Sequence, residues 1–281
     1  PLFGLAPDKA QTVGYVVGGL LVIAVAVITR FSLGSLLLFV LFVTHALVGA
    51  VELGTDSWIE NITGNLFTPE QGKFLFFYTS LIMFSLRFCA EFIEKKLGLS
   101  PVGLLVAAAT IAFIGLQLAA GMNSFAVALF ALGIYALGKT FFWPTMLAVV
   151  GDRFPRSGAV AMSIMGGIGM LSAGLIGSPG LGYAKDRFTA ESLQASAPAV
   201  YAANKASTES KFLPFVFAPA TGVDGAKLEA AKKAGDKGTA DQKAIVAANQ
   251  AGDRATLKAD SFIPLTMALI FLVLFIYFKS I

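Results

Sequence analysis

Apolar residues run along this chain in blocks long enough to cross a bilayer, separated by short polar connections. A helix needs about 20 predominantly apolar residues to span the hydrocarbon core. Seven blocks approach or reach that length, near 12–29, 33–55, 74–94, 101–120, 124–150, 157–180 and 261–279. The connections carry turn chemistry: Arg30 to Ser32, then DSWIENITGNLFTPEQGK, KKLGLSP, GMNS and GDRFPRSG. Pro101 marks a helix start, Pro144 a kink within a span and Pro155 a loop. The pattern predicts an all-α integral membrane protein, a polytopic helix bundle of about seven spans.

Composition supports this pattern. Hydrophobic residues make up 56% of the 281 positions and charged residues 14%, with mean hydropathy +0.76; ordinary soluble domains are about 25% charged. A net charge of +4 without a basic stripe gives no nucleic-acid reading. The single cysteine, Cys89, rules out an intrachain disulfide and is expected to be a small buried apolar side chain. With one His and one Cys, no metal set is visible. No nucleophile, base and orienting group recur at a known spacing, so neither an enzyme nor a cofactor is expected. The chain begins at Pro1, a few residues before a span, and is expected to be a piece of a longer protein.

Orientation follows from Lys and Arg in the short loops. Arg30, Lys95 with Lys96, Arg153 with Arg156, and Lys279 fall on one side, expected to be cytoplasmic. Residues 56–73 and 181–260 then lie outside. The 181–260 segment holds about half of the chain's charged residues, rich in Ala, Lys and Asp. It reads as a polar external loop or small cap, or else a solute-capturing lid. Its FLPFVF run at 212–217 could pack onto the membrane bundle.

Against this background, ionisable residues inside the spans stand out, because each costs roughly 2.5–3.5 kcal/mol or more at the bilayer centre. At 100° per residue, His45, Glu52 and Asp56 fall within roughly 40° of one another. That face is expected to line a wet pathway. His45 reads as either a satisfied interhelical hydrogen bond or a proton-responsive or substrate-binding group. Glu52 is the stronger candidate for a coupling proton or a solute hydroxyl. Asp56 and Trp58 lie near the interface, where Trp anchors helices. Arg87 and Glu91, spaced i and i+4, are expected to pair and brace the cytoplasmic side. Lys139, mid-span beside Trp143 and Pro144, needs a partner, with Glu52 or His45 expected. Together Lys139 and Trp143 suit a solute-binding wall. Gly166, Gly167, Gly169, Gly174 and Gly177 predict close helix contacts.

The run GKTFFWPTMLAVVGDRFPRSGAVAMSIMGGIGMLSAGLIGSPGLGYAKDRF resembles helices ten and eleven of Major Facilitator Superfamily transporters, and HALVGAVELGTDSWI resembles helix seven. LRFCAEFIEKKLGLSP takes the place of the loop between helices eight and nine, without the superfamily's full Gly, Asp and Arg pattern. The resemblance implies two six-helix halves with solute bound between them near the midplane. On this reading 1–30 is one transmembrane helix of the preceding half and 31–180 holds five helices of the C-terminal bundle. Residues 181–260 are extracytoplasmic, and 261–281 is the last span. The family places helices seven, eight, ten and eleven along the cavity; the matching positions are His45, Glu52, Arg87, Lys139 and Trp143. The expected protein is a secondary active transporter in a bacterial inner membrane, a symporter if proton-coupled. Its expected partners are the lipid bilayer, a small polar solute of sugar-like character, and the absent N-terminal half. The alternative is a non-transporting membrane subunit that binds a partner protein.

Overall fold

The computed structural model describes residues 35–89, 98–156 and 158–280, with 13, 16–20, 23, 24, 27, 92, 93 and 96. The chain divides into two compact units, Pro1–Leu41 and Phe42–Ile281. In the first, the described positions from 13 to 27 are helical and exposed; the rest of the expected 12–29 span, and its connection at 30–32, lie outside the described residues.

Helix α1 (Leu36–Leu66) is followed by α2 (Pro69–Phe88), α3 (Pro101–Ala120), α4 (Phe125–Arg153) and α5 (Gly158–Ser196). Two short helices, α6 (Pro198–Asn204) and α7 (Gly225–Ala234), precede α8 (Ala240–Ser280). Among the described residues α1, α3, α4, α5 and α8 are long and apolar enough to cross a membrane. The polar connections begin helices as their residues dictate. Thr68 and Ser100 each accept a backbone N–H and are followed by proline at the first helical position, while Ser124 caps α4. The Thr68 cap starts α2 ahead of the apolar block, so its first turns carry Glu70 and Lys73.

The break in α4 falls at Thr140 and Phe141, ahead of Pro144. Proline obstructs the carbonyl four residues back, which is Thr140, so the discontinuity precedes the residue that causes it. Cys89 departs from expectation: it is exposed at the C-terminal cap of α2.

The 181–260 segment is a folded cap built on extended spans. α5 runs on to Ser196 and α8 starts at Ala240. The two extensions pack antiparallel: Thr189 lies against Gly252, and Leu193 joins Ile245, Ala248 and Ala231 in a small apolar core. A reciprocal Thr239–Gln242 capping box starts the returning helix. Within the cap Lys185 pairs with Asp253 at 2.8 Å, and the cap is tied to α1 by Lys185, which also donates to Asn61 at 2.8 Å, and by Asn65, whose amide donates to Asp253 at 3.0 Å.

α1 and α5 each contain a π-helical turn, Ala50–Gly54 and Ala173–Gly177, and the two turns touch. A Cβ on Gly49 would sit 2.0 Å from the Gly169 carbonyl oxygen, and one on Gly54 2.7 Å from the Gly177 Cα. Only hydrogen fits between these backbones. Of the five α5 glycines expected at close contacts, Gly169 and Gly177 make them, whereas Gly166, Gly167 and Gly174 face open space. Gly49→Ala should therefore cost about 1–3 kcal/mol through overpacking, read as a lower thermal midpoint in detergent. Gly166→Ala should leave the midpoint unchanged.

Candidate functional site

The π turn in α1 decides where its polar side chains go. A π turn adds a residue to one helical turn, so positions beyond it are rotated from the regular 100° spacing. His45 precedes it, Glu52 lies inside it and Asp56 follows it. They consequently serve different neighbours.

Glu52, 2% exposed, accepts a hydrogen bond and ion pair from Arg87 of α2 at 2.7 Å. Its second oxygen, Oε2, is buried without a hydrogen-bond partner among the described residues. The Arg87 side chain is 41% exposed, so this pair is sealed at the carboxylate and open at the guanidinium. Glu91, the expected partner of Arg87, lies outside the described residues.

Lys139 of α4 is fully buried and pairs with Asp56. The expected Lys139 contact with Glu52 or His45 is replaced by this one: His45 and Asp56 both meet α4, while Glu52, inside the π turn, meets α2. The ammonium also lies 5.3 Å from the Tyr135 ring centroid, and the Tyr135 hydroxyl donates to the Val51 carbonyl at 2.8 Å. The two acids of this stretch of α1 are thus each matched to a base from a neighbouring helix, Glu52 to Arg87 of α2 and Asp56 to Lys139 of α4. A further carboxylate, Asp260 of α8, is buried and accepts from the Thr55 hydroxyl at 2.6 Å.

His45 is fully buried, and neither ring nitrogen has a hydrogen-bond partner among the described residues. The expected interhelical hydrogen bond is not made. Its ring instead meets Trp143 edge-on, centroids 4.7 Å apart, an arrangement aromatic rings favour. Gly169 completes the nest; a Cβ there would lie 2.5 Å from the Trp143 ring. The α1–α5 contact continues through Ser172, which donates to Ala46, and Trp58, whose indole N–H is shared by the carbonyl and hydroxyl of Ser178.

Sequence reasoning missed Tyr135, Thr55 and Asp260. A hydroxyl in an apolar run and an acid at a span's edge are weak signals alone, and only the fold brings them beside α1. Among the described residues no group of three or more His, Cys, Asp and Glu side chains gathers to hold a metal. A cavity of about 680 Å³ lies between α1 and the cap, lined by Glu60, Asn61, Asn65, Lys232, Lys233 and Gln250 among others. His45, Glu52, Lys139 and Trp143 do not line it.

No family model and no curated protein matches the chain. The solved structure of a bacterial homolog to the human lysosomal transporter Spinster, in an inward-facing and occupied conformation, matches with TM-score 0.61 at 16% identity. The chain shares that protein's fold, a Major Facilitator-like architecture. The match covers 84% of this chain and 48% of the other, so the chain spans about half that protein's length. The Major Facilitator-like architecture and the apolar helices together make this an integral membrane protein.

Proposed function

We propose that the chain is a secondary active transporter, or the C-terminal portion of one, moving a small polar solute by alternating access with a proton as coupling ion. The observation that carries the reading is Glu52: a buried carboxylate with one oxygen on Arg87 and the other without a partner. A proton taken up there neutralises the carboxylate and removes its charge attraction for Arg87. Contact between α1 and α2 then loosens. A packed interface with two discrete arrangements is what alternating access requires. Trp143, half-buried beside the enclosed His45, supplies a ring face for the solute, and Lys139 with Asp56 holds the α1–α4 contact on which they stand. The carboxamides and carboxylates of the cavity beneath the cap suit a hydroxylated, sugar-like solute entering from the extracytoplasmic side. The fold's resemblance to a protein described as a transporter adds support. A bacterial inner membrane is the setting in which the basic loops fit.

The second reading, a non-transporting subunit that binds a partner protein, draws support from one observation: Glu52 and Asp56 of α1 are both already matched to bases. Uptake of labelled sugars and other small polar solutes into proteoliposomes of the natural protein separates the two. The transporter reading expects uptake driven by an imposed proton gradient and counterflow without one. Neither would occur for a scaffold.

A further inference from the structure

The cap carries one apolar feature that its own core does not use. Among the described residues of 181–260, the exposed large apolar side chains are Phe215, Val216 and Phe217, three in succession, at 83%, 61% and 37%. They form a tight turn closed by the Val216 and Phe217 amides donating to the Leu213 carbonyl. The base of the turn is fixed. Phe212 and Phe217 stack on each other and lean on Tyr183, whose hydroxyl donates to Ala218. A Cβ on Gly180 would lie 3.1 Å from the Phe212 ring.

Position along α5 gives the turn its meaning. Beyond the π turn Gly180 and Tyr183, spaced i and i+3, share one face and hold the base of the apolar turn. Ile176 belongs to the exposed apolar stripe with Leu171 and Leu175, and the turn begins where that stripe ends. Counting about 20 residues of span from Gly158 brings the far edge of the hydrocarbon to the neighbourhood of Ser178. Trp58 binds Ser178 at that same level, where aromatic side chains collect. Lys211, an exposed side chain beside the turn with Glu209 4.0 Å from its ammonium, can reach lipid phosphates while its stem stays apolar.

We propose that the 211–217 turn docks on the bilayer, inserting Phe215 and Val216 among the headgroups and upper acyl chains of the leaflet nearest the cap. The apolar turn then fixes the cap against the membrane on the lipid-facing side of α5. This holds whether or not the chain transports anything.

The test uses the protein in vesicles of phosphatidylethanolamine and phosphatidylglycerol. Cys89→Ser removes the native thiol, and Phe215→Cys carries an environment-sensitive fluorophore, with Lys237→Cys on the exposed far side of the cap as reference. Quenching by lipids with headgroup-proximal doxyl chains should exceed the reference by about twofold or more, with blue-shifted emission and weak quenching by aqueous iodide. Iodide quenching equal to the reference would overturn the proposal. Protection from both quenchers would overturn it too, since it means a protein covers the turn. Val216→Cys repeats the measurement independently should the first variant fold poorly.

Discussion

Lys139→Met is expected to destabilise the protein by about 3–5 kcal/mol, the range for removing one partner of a buried ion pair. The ammonium is fully buried, and its removal leaves the Asp56 carboxylate without its cation. Against total stabilities of about 5–15 kcal/mol, that loss should appear as a large drop in thermal midpoint in detergent. The pair itself need contribute little, because attraction in a low dielectric is largely offset by desolvation of both charges. Asp56→Leu combined with Lys139→Met should therefore be less damaging than Lys139→Met alone, despite carrying two changes. Additive losses in the double variant would mean that the two side chains act independently.

Glu52→Gln should give the larger functional effect with a much smaller structural one. Glutamine keeps the shape and the acceptor facing Arg87, and the guanidinium is open enough at 41% exposure to be hydrated when its counter-charge disappears. What is lost is the ability to bind and release a proton. Uphill solute accumulation should then be abolished in proteoliposomes while solute exchange continues, since exchange needs the moving scaffold but no coupling proton. Unchanged accumulation would remove the proton role from Glu52. Loss of both accumulation and exchange, with the thermal midpoint preserved, would make Glu52 a solute ligand instead.

The contrast between these two variants comes from where each pair meets water. Lys139 is enclosed and Arg87 is not, so the first pair is a structural liability when broken and the second is free to change state. A device that must alternate between arrangements needs a contact of the second kind.

Much of the bundle was legible in the chain. Span length is a local property: roughly 20 apolar residues either occur in succession or do not. Pro101 likewise marks a helix start, whereas the caps at Thr68, Ser100 and Ser124 came from the structure although each is satisfied by backbone three residues away. That Glu52, Arg87 and Lys139 need partners was also legible, since a charge among apolar residues is costly unless it is paired or reaches water.

The identities of their partners were not. Regular 100° spacing aligns His45, Glu52 and Asp56, whereas in the fold, with a π turn at Ala50–Gly54, they meet Trp143, Arg87 and Lys139 respectively. That turn is held against its counterpart in α5 by close glycine contacts, a relation between segments more than a hundred residues apart. The cap shows the same division. Its composition marks 181–260 as polar, but only the antiparallel pairing of α5 with α8 turns it into a folded body and leaves Phe215 outside its core. Sequence alone marked segments apolar enough for a membrane and the residues costly there, because both follow from short-range chemistry. Tertiary structure decided which charge meets which, because a pair forms only where two helices cross at the right rotation.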